Sequence, residues 1–419
     1  MCIRDRGIGS LREVAAPYAN PIIFLFMGGF LMALALERWD LHRRIALAIL
    51  DRTGTEGRRL IGGFMFVCAM LSMWMTNTST TMMLLPIVLS VIGVIRDNVT
   101  GLTDKQRSDF EIAMLLGLAY SASIGGLATL VGTPPNAFLI GYLAENYDIE
   151  ISFARWMIVG IPVTFIMLPI AWWVLTRFMY PVQVPASEDV NRHLHELREE
   201  LGPMTTAEKR VGIVFLAVIL SWMLRRPLTE LVGLTGISDA GIVMTAGILL
   251  FLLPAGDKES NRLMNWDYAT RLPWGVLVLM GGGLSLAAAV SNTGLALWLG
   301  ESLAPLNAFG LAVLVVAAVA LVIFLTELTS NLATTATLLP VMGAIAVQAG
   351  LPPLYLTVPI TIAASCAFML PVATPPNAIV FATGRITIPQ MLRAGFVLNL
   401  IGVIVVTLIA LYLAPNALV

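Results

Sequence analysis

Two stretches of the sequence place hydroxyl side chains and one asparagine in the middle of apolar residues. They are residues 74–86, WMTNTSTTMMLLP, and residues 328–340, LTSNLATTATLLP, and from Thr76 and Ser330 onward six of eleven positions are identical. Polar groups in apolar surroundings have no water to satisfy them, so they need partners from the protein, a substrate or an ion. The repeat therefore favours a fold with two related halves that each bury one such cluster.

The chain around these stretches has the composition of a membrane protein. Of its 419 residues, 58% are hydrophobic and 12% are charged, and the mean hydropathy is +0.85, whereas a soluble domain has about 25% charged residues. We expect an all-α polytopic membrane protein, because helices satisfy their own backbone groups in lipid. Spans of about 20 apolar residues are expected at 20–36, 112–143, 156–178, 211–224, 239–254, 274–290, 352–384 and 396–415.

Four of the apolar stretches are interrupted near their centres. The polar motifs lie in the middle of 60–95 and 310–345, which predicts two re-entrant hairpins with the motifs at their tips, since roughly 13 helical residues descend about 20 Å. The spans 112–143 and 352–384 contain GTPPNA and ATPPNA, and consecutive prolines cannot continue a helix. Both spans are therefore expected to break in mid-membrane, which frees carbonyl groups and half-helix ends at the depth of the hairpin tips.

The order of the motifs divides the chain into two halves, 20–178 and 211–419, each with MGG, then the polar motif, then PPNA. If residues 37–60 are cytoplasmic, the connectors on that side carry 18 Lys and Arg residues and those on the other side carry 3, a strong bias under the positive-inside rule. The partner of 37–60 in the second half, residues 291–309, then lies outside. We therefore expect inverted repeats, joined by a solvated cytoplasmic linker at 179–210.

The start of the chain breaks this symmetry. Residues 1–19 are expected to be irregular, and they contain no apolar run long enough for a signal peptide. In the second half, the spans 211–224 and 239–254 precede the MGG motif, whereas only residues 1–26 precede the matching Met27. The repeat thus predicts two or three further helices upstream, so that the chain is expected to be truncated at its N-terminus.

Charge and cysteine usage argue against several functions. The net charge is −1 and the three histidines lie in charged segments, which disfavours nucleic acid binding and a histidine-ligated metal. Cys2, Cys68 and Cys366 show no CxxC spacing and are expected to be small core residues. The spans contain no nucleophile with a base, so an intramembrane enzyme is not expected. A channel is a further rival, which saturable, concentrative uptake would exclude.

The motifs have the chemistry of a binding site. Asn77 and Asn331 offer donors and an acceptor without a charge. At a hairpin tip, the N-terminus of the returning half-helix directs free N–H groups at the site, which suits a carboxylate, and unwound carbonyls suit Na+. A single cluster is commonly interhelical hydrogen bonding, and a single proline is commonly a kink. Two motifs and two breaks at matched positions favour binding, whereas SNTG at 291–294 lacks the rest of the motif and is expected to end a helix.

These motifs resemble those of the divalent anion/sodium symporter family, which transports dicarboxylates, citrate or sulfate. TNTSTTMMLLP and TSNLATTATLLP, each followed by a TPPN break, are similar to the two Ser-Asn-Thr signatures of that family, and the resemblance covers the chain from Pro21 onward. It implies a scaffold part, a transport part with two re-entrant hairpins, a homodimer in the lipid bilayer of a bacterial inner (plasma) membrane, and an elevator mechanism.

The resemblance also implies a set of ligands. The first sodium site would use Ser72, Thr76, Asn77 and the carbonyl of Gly132, and the second would use Thr326, Thr329, Asn331 and the carbonyl of Ala373. The substrate carboxylates would meet Asn77, Thr78, Thr133, Pro134, Asn331, Thr374 and Pro375. Two positions depart from the family pattern: Thr76 stands in place of Ser and keeps the hydroxyl, whereas Leu332 stands in place of Thr and loses it. One end of the site is therefore expected to hold a further carboxylate less well.

The predicted function is the import of a small divalent anion, such as succinate or malate, coupled to Na+ and without an organic cofactor. The alternatives are a sodium-independent anion exchanger, or sulfate or citrate as the substrate. The hairpins and broken spans contain no Lys, Arg or His, which favours sodium, because exchangers of this family are expected to carry fixed cations there. Their one acid is Glu327, which either anchors the hairpin or the nearby ion, or is hydrated near the outer mouth.

Overall fold

The computed structural model describes residues 9–232, 236–256, 262–295, 298, 301–302 and 310–418. Over these residues every regular element is a helix, and six helices are long and apolar enough to cross a membrane: Pro21–Arg38, Asn77–Asn98, Phe153–Met179, Trp274–Asn292, Asn331–Gln348 and Ile388–Tyr412. Three shorter apolar helices accompany them: Asp239–Leu252, Leu311–Leu325 and Leu354–Ala364. The expected all-α polytopic membrane protein is confirmed.

The described helices are numbered α1 to α19 in chain order. They are α1 Leu11–Ala15, α2 Pro21–Arg38, α3 Leu41–Thr53, α4 Gly57–Ser72, α5 Asn77–Asn98, α6 Asp104–Gly126, α7 Pro134–Tyr147, α8 Phe153–Trp173, α9 Glu188–Glu199, α10 Thr206–Val232, α11 Asp239–Leu252, α12 Trp266–Ala269, α13 Trp274–Asn292, α14 Leu311–Leu325, α15 Asn331–Gln348, α16 Leu354–Ala364, α17 Pro375–Phe381, α18 Ile388–Tyr412 and α19 Ala414–Leu418. A 3-10 turn, Ala16–Ala19, follows α1, and a π-helical turn, Val174–Met179, continues α8.

Each polar motif lies between two apolar helices. In the first half, α4 and α5 flank residues 73–76, and in the second half, α14 and α15 flank residues 326–330. Asn77 and Asn331 are therefore the first residues of α5 and α15. Both motifs occupy a turn between helices, as the sequence predicted, and both asparagines stand at a helix N-terminus.

The two long spans are interrupted just before their prolines. The sequence argument placed each break at the proline pair, but α7 and α17 begin at Pro134 and Pro375, and the breaks are residues 127–133 and 365–374. Proline at the first helical position costs no hydrogen bond, because that N–H is unpaired in any helix. The prolines thus start the second half-helix.

Three helices extend further than hydropathy indicates. α6 begins at residue 104 rather than 112, because Thr103 and Gln106 form a capping box. α10 covers 206–232 rather than 211–224, and α18 covers 388–412 rather than 396–415. Hydropathy detects only the apolar part of a helix, whereas hydrogen bonding and caps set its ends. The SNTG stretch does end a helix, since α13 stops at Asn292.

One asparagine satisfies the backbone of each break. Asn136 Nδ2 donates to the carbonyl of Thr129 at 2.8 Å, and Asn377 Nδ2 donates to the carbonyl of Leu370 at 3.0 Å. Both asparagines are fully buried. A buried backbone group without a partner costs about 1–3 kcal/mol. The Asn of each PPNA motif therefore stabilises the interruption that precedes it.

At one end of the molecule the basic connectors meet. Trp39 Nε1 donates to the carbonyl of Leu263 at 2.9 Å, and Arg198 pairs with Asp51 at 2.5 Å. These contacts join the connectors that follow α2 and α11, and the helices α3 and α9. All of them belong to the segments that the Lys and Arg bias assigns to the cytoplasm.

A second set of polar contacts joins the helices α7, α8, α10, α11 and α13. Arg225 pairs with Asp239 at 3.0 Å, although without the alignment of a hydrogen bond. Asp239 Oδ2 also accepts from the Phe153 N–H at 2.9 Å, and Ser291 Oγ donates to Asn146 Oδ1 at 2.9 Å. The contacts at Phe153 and Asn146 link the first half of the chain to the second.

The linker at 179–210 contains a packed helix, whereas the sequence argument expected a solvated segment. Val190 and Leu194 of α9 are buried, because they form an apolar stripe against α3 and α5. His193 Nε2 lies 2.9 Å from Ser90 Oγ on α5. The linker is therefore fixed to the first half.

The start of the chain is also more regular than expected over the residues that are described. Ser10 and Glu13 form a capping box that begins α1, and the 3-10 turn at 16–19 follows directly. Residues 1–8 lie outside the described part of the chain. The capping box is a local signal that hydropathy does not detect.

Two glycines allow helices to approach the breaks. A Cβ on Gly160 of α8 would lie 2.5 Å from the carbonyl oxygen of Leu127, and a Cβ on Gly395 of α18 would lie 2.2 Å from that of Phe368. Real side chains do not approach backbone atoms so closely. Each break is thus packed directly against the backbone of the following long helix.

We expect Gly395→Ala to lower the thermal unfolding midpoint of the purified protein in detergent, because relieving the overlap costs about 1–3 kcal/mol. Gly402→Ala is the matched control in the same helix, since a Cβ there would lie 3.4 Å from its nearest neighbour, Ile323 Cδ1. Equal midpoints for the two variants would contradict the close approach of α18 to the break.

Candidate functional site

A cavity of about 730 Å³ lies between the two polar motifs and the two breaks. Residues 76–79 and 131–135 line it from the first half, and residues 328–332 and 372–375 line it from the second half. The facing wall comes from α2, α13 and the connector before α13. The cavity brings together all four motifs that the sequence singled out.

The first hairpin tip is held by side-chain hydrogen bonds. Thr76 Oγ1 accepts from the Ser79 N–H at 3.1 Å and so caps α5. Ser72 Oγ lies 2.7 Å from the Asn77 side-chain amide and donates to the carbonyl of Ala122 on α6 at 2.7 Å. The tip is therefore joined to the helix that leads into the first break.

One end of the Asn77 amide faces only oxygen atoms. Ser72 Oγ, the Ala122 carbonyl and the Gly132 carbonyl lie 2.7, 3.0 and 3.3 Å from it. If this atom is Nδ2, it can donate to all three; if it is Oδ1, four oxygens converge on one point. We assign Nδ2, because this end of the amide faces acceptors while the other end faces donors, and only this orientation satisfies both. The Asn77 amide therefore links α5 to the end of α6 and to the first break.

The second tip repeats the arrangement. Thr326 Oγ1 lies 3.0 Å from Asn331 Oδ1 and 2.9 Å from the carbonyl of Ala364, as Ser72 lies between the Asn77 amide and the carbonyl of Ala122 in the first half. Thr329 Oγ1 lies 2.5 Å from Thr334 Oγ1. One difference is that Ser330 makes no side-chain cap. Both halves thus place a hydroxyl, an amide and a helix-end carbonyl together.

The structure brings most of the residues that the resemblance implied into the cavity wall. The lining ones are Thr76, Asn77, Thr78, Gly132, Thr133, Pro134, Thr329, Asn331, Ala373, Thr374 and Pro375. Ser72 and Thr326 are fully buried behind the tips and are absent from that wall. They reach the site through their hydrogen bonds to the two asparagine amides.

The two halves differ at Thr78 and Leu332, which occupy matched positions. Both line the cavity, and Leu332 is only 4% exposed. The departure from the family pattern therefore lies in the wall of the site. A hydroxyl donor in one half faces the same cavity as an apolar side chain in the other.

Glu327 is a buried anchor for the second break. Its Oε1 accepts from the N–H groups of Phe368 at 2.8 Å and Met369 at 2.9 Å, and its Oε2 accepts from that of Leu370 at 3.0 Å. Asn399 Nδ2 donates to Oε1 at 2.7 Å. The side chain is 3% exposed. Of the two interpretations, the anchor is confirmed and the hydrated group at the outer mouth is wrong.

The first half joins its tip and break differently. Thr129 Oγ1 donates to the carbonyl of Met73 at 2.5 Å. Met73 occupies the position in the first half that Glu327 occupies in the second. Trp156 Nε1 donates to the carbonyl of Leu127 at 3.1 Å. Neutral groups therefore hold the break in the first half, whereas the Glu327 carboxylate holds it in the second.

Sequence reasoning missed two charged residues in the cavity wall, Glu37 and Arg271. The Tyr268 O–H donates to Glu37 Oε1 at 3.5 Å, and the guanidinium carbon of Arg271 lies 4.3 Å from the Tyr268 ring centroid. Burial and then the charge of Glu37 raise the pKa of the Tyr268 phenol, although Arg271 opposes this, so Tyr268 keeps its proton. These residues lie near connectors without a motif, which is why no pattern indicated them.

The chemistry of the cavity limits the cations it can hold. In the described part of the chain, no three His, Cys, Asp or Glu residues are grouped to hold a metal ion. A second cavity of about 590 Å³ includes Arg225 and Asp239 but none of the polar-motif residues. A cation in the first cavity would therefore be held by neutral hydroxyl, amide and carbonyl oxygens, which suits a hard ion of low charge.

We expect Glu327→Gln to lower the thermal unfolding midpoint in detergent, because a carboxylate that accepts four N–H donors becomes an amide whose NH2 group faces donors. Leaving such groups unpaired costs about 1–3 kcal/mol each. Glu196→Gln is the control, since Glu196 is an exposed residue of α9. A midpoint unchanged from the parent would contradict the anchoring role.

Comparison with known proteins identifies the family of this chain. A family profile described as sodium:sulfate symporter transmembrane region matches residues 4–416. The sodium-dependent dicarboxylate transporter SdcS of Staphylococcus saprophyticus is 43% identical over 412 residues, which is 97% of this chain and 79% of the relative. SdcS of Staphylococcus aureus is 41% identical over 406 residues, 96% of this chain and 78% of the relative.

A solved structure supports the fold alone. The Alcanivorax borkumensis YdaH transporter, described as having an unusual topology, superposes with a TM-score of 0.63 over 94% of this chain and 85% of its own, at 14% identity. The profile and the two SdcS relatives confirm the resemblance drawn from the signature motifs. The chain belongs to the sodium:sulfate symporter family and is an integral membrane transport protein.

Proposed function

We propose that this protein imports a small C4-dicarboxylate, such as succinate or malate, together with Na+ across a bacterial plasma membrane. The observation that carries the proposal is the single cavity in which two matched tips and two matched breaks meet. The relatives that are 41–43% identical are named sodium-dependent dicarboxylate transporters. Their substrate class agrees with a site that offers helix N-termini to carboxylates and neutral oxygens to a cation.

Each half would hold one sodium ion. The first site would use Ser72, Thr76, Asn77 and the carbonyl of Gly132, and the second would use Thr326, Thr329, Asn331 and the carbonyl of Ala373. The position of Thr76 and Gly132 in the cavity wall supports the first, and the Thr326 hydroxyl beside Asn331 Oδ1 supports the second. Hydroxyl and carbonyl groups supply such ions with oxygen ligands without adding fixed charge.

The anion would lie between the two tips. Its partners would be Asn77, Thr78, Thr133, Pro134, Asn331, Thr374 and Pro375. Helices α5, α7 and α15 all begin at this cavity, and helix N-termini favour negative charge by about 0.3–1 kcal/mol each. With two sodium ions bound, a dianion would leave the site neutral overall.

The larger architecture is also a proposal. Asn136 and Asn377 make corresponding hydrogen bonds, each within its own half, and so do Ser72 and Thr326. These correspondences support two repeats, 20–178 and 211–419. The Lys and Arg bias between the connectors supports their inversion, with 179–210 as the crossing linker. Re-entrant hairpins, a homodimer and elevator movement follow from the family resemblance.

The proposal is tested by uptake into proteoliposomes of radiolabelled succinate, malate, citrate and sulfate, with an inward Na+ gradient or with choline. We expect succinate or malate uptake that is saturable and requires Na+. Uptake unchanged in choline would favour the sodium-independent exchanger instead. Uptake of sulfate or citrate alone would replace the proposed substrate.

We expect Asn77→Ala and Asn331→Ala each to reduce Na+-dependent uptake to background, with a normal amount of folded protein. Each amide serves ion and anion together, and removing one partner of a buried polar contact costs about 1–3 kcal/mol, more near a charge. Asn98→Ala is the control, since Asn98 is exposed at the far end of α5. Uptake near that of the parent in either variant would indicate that the motif has a purely structural role.

We expect Leu332→Thr to improve citrate relative to succinate in competition assays, with sodium dependence unchanged. The third carboxylate of citrate would meet the apolar wall at Leu332, a penalty of about 1–3 kcal/mol or roughly 10- to 100-fold in affinity. Val347→Thr is the control on an exposed part of the same helix. If citrate already competes as well as succinate in the parent, Leu332 does not limit the substrate.

A further inference from the structure

The cavity carries a charge pattern that the proposed sodium and anion ligands do not use. Among the described residues of its wall, only Glu37 and Arg271 are ionisable. Glu37 lies in the last turn of α2, and Arg271 lies in the connector that leads into α13. Both belong to the wall that faces the hairpin tips rather than to the tips themselves.

Arg271 is oriented without being neutralised. Its guanidinium carbon stacks 4.3 Å from the centroid of the Tyr268 ring, and within the described chain no carboxylate pairs with it at 4.0 Å or less. The ring is in turn fixed by the 3.5 Å hydrogen bond from its O–H to Glu37. Apart from its interaction with the Tyr268 phenol, the guanidinium keeps N–H donors at its edge, because stacking occupies only its face.

This cation lies at one end of the cavity. Trp39, just beyond Glu37, bonds to the carbonyl of Leu263, so the connector that carries Arg271 is attached to the end of α2. That end is the one the Lys and Arg bias assigns to the cytoplasm. An anion moving between the tips and the cytoplasm therefore passes a fixed positive charge.

We propose that Arg271 is a specificity-determining residue that binds one carboxylate of the substrate at the cytoplasmic mouth of the cavity, with Tyr268 and Glu37 as its positioning residues. The inference rests on the proposed function. A guanidinium presents paired donors that match a carboxylate, and a fixed charge in a low-dielectric cleft concentrates anions locally. Arg271 would favour dianions over neutral or singly charged acids of the same size.

The first experiment measures succinate transport from the cytoplasmic face of the full chain, in proteoliposomes that hold the protein inside-out. We expect Arg271→Gln to raise the KM for succinate about 5- to 10-fold at low ionic strength, with a small effect on kcat, since attraction at a mouth acts on capture. The difference should shrink at high salt because exposed charges are screened. Arg271→Lys should recover most of the affinity. Arg59→Gln is the control, because its side chain is 73% exposed at the same end and is not part of the cavity wall.

A KM equal to that of the parent at both salt concentrations would overturn the proposal. So would an equal change in Arg59→Gln, which would indicate general surface charge. A loss of kcat with a lowered thermal midpoint and no dependence of KM on salt would indicate a merely structural arginine, which also overturns it.

The second experiment does not depend on transport. In a Cys2→Ser background, Arg271→Cys is labelled with a charged methanethiosulfonate while succinate, citrate or sulfate is added, and Arg59→Cys serves as the control. The remaining cysteines, Cys68 and Cys366, are buried. We expect at least one anion to slow labelling at position 271 severalfold and none to slow it at position 59. Protection without any Na+-dependent uptake would support the anion site and refute the proposed function, whereas no protection by any anion would refute the site.

Discussion

The structure depends on satisfying backbone groups where helices stop inside an apolar interior. Two hairpin tips and two breaks leave carbonyl and N–H groups without helical partners, and each such group costs about 1–3 kcal/mol if it stays unpaired. Buried amides provide much of the solution. Asn136 and Asn377 bind the carbonyls of the breaks, while Asn77 and Asn331 lie against hydroxyls that also bind α6 and α16. The same groups that make the interruptions stable form the wall of the cavity.

This arrangement explains why cation and anion would bind together. The tips and breaks hold neutral oxygens and helix N-termini but no ionisable group in the cavity wall. A dianion alone would face the hydroxyl and carbonyl oxygens of the tips and breaks, and cations alone would leave the helix N-termini without a negative partner. Each ligand therefore lowers the cost of binding the other, which is the free-energy coupling that a symporter requires. Glu327 supplies its charge to the backbone of the second break, so it is not available as a ligand.

The sequence predicted the helical membrane fold, the two polar turns, the two broken spans and most of the cavity wall, because these features follow from local patterns of hydropathy, proline and polar residues. The sequence argument placed the breaks at the prolines. A proline pair indicates that a helix is interrupted, but it does not indicate whether the interruption precedes or follows the prolines. Glu327 could be found as an unusual acid, yet its role required the position of Phe368 to Leu370 in space. Glu37 and Arg271 could not be predicted, because nothing in their own connectors marks them and only tertiary packing brings them to the cavity. The helix α9 was missed because its stripe of two buried residues is too short to register as periodicity.

The central claim is that one cavity binds the anion and Na+ with a mutual gain in affinity. It is tested most directly by equilibrium binding to the purified protein, with radiolabelled succinate titrated at several Na+ concentrations and radiolabelled Na+ titrated at several succinate concentrations. Linkage requires that each ligand raise the affinity of the other by the same factor. We expect equal factors of about 10 or more, abolished together by Asn77→Ala. Succinate that binds equally tightly in choline and in Na+ would contradict a shared site.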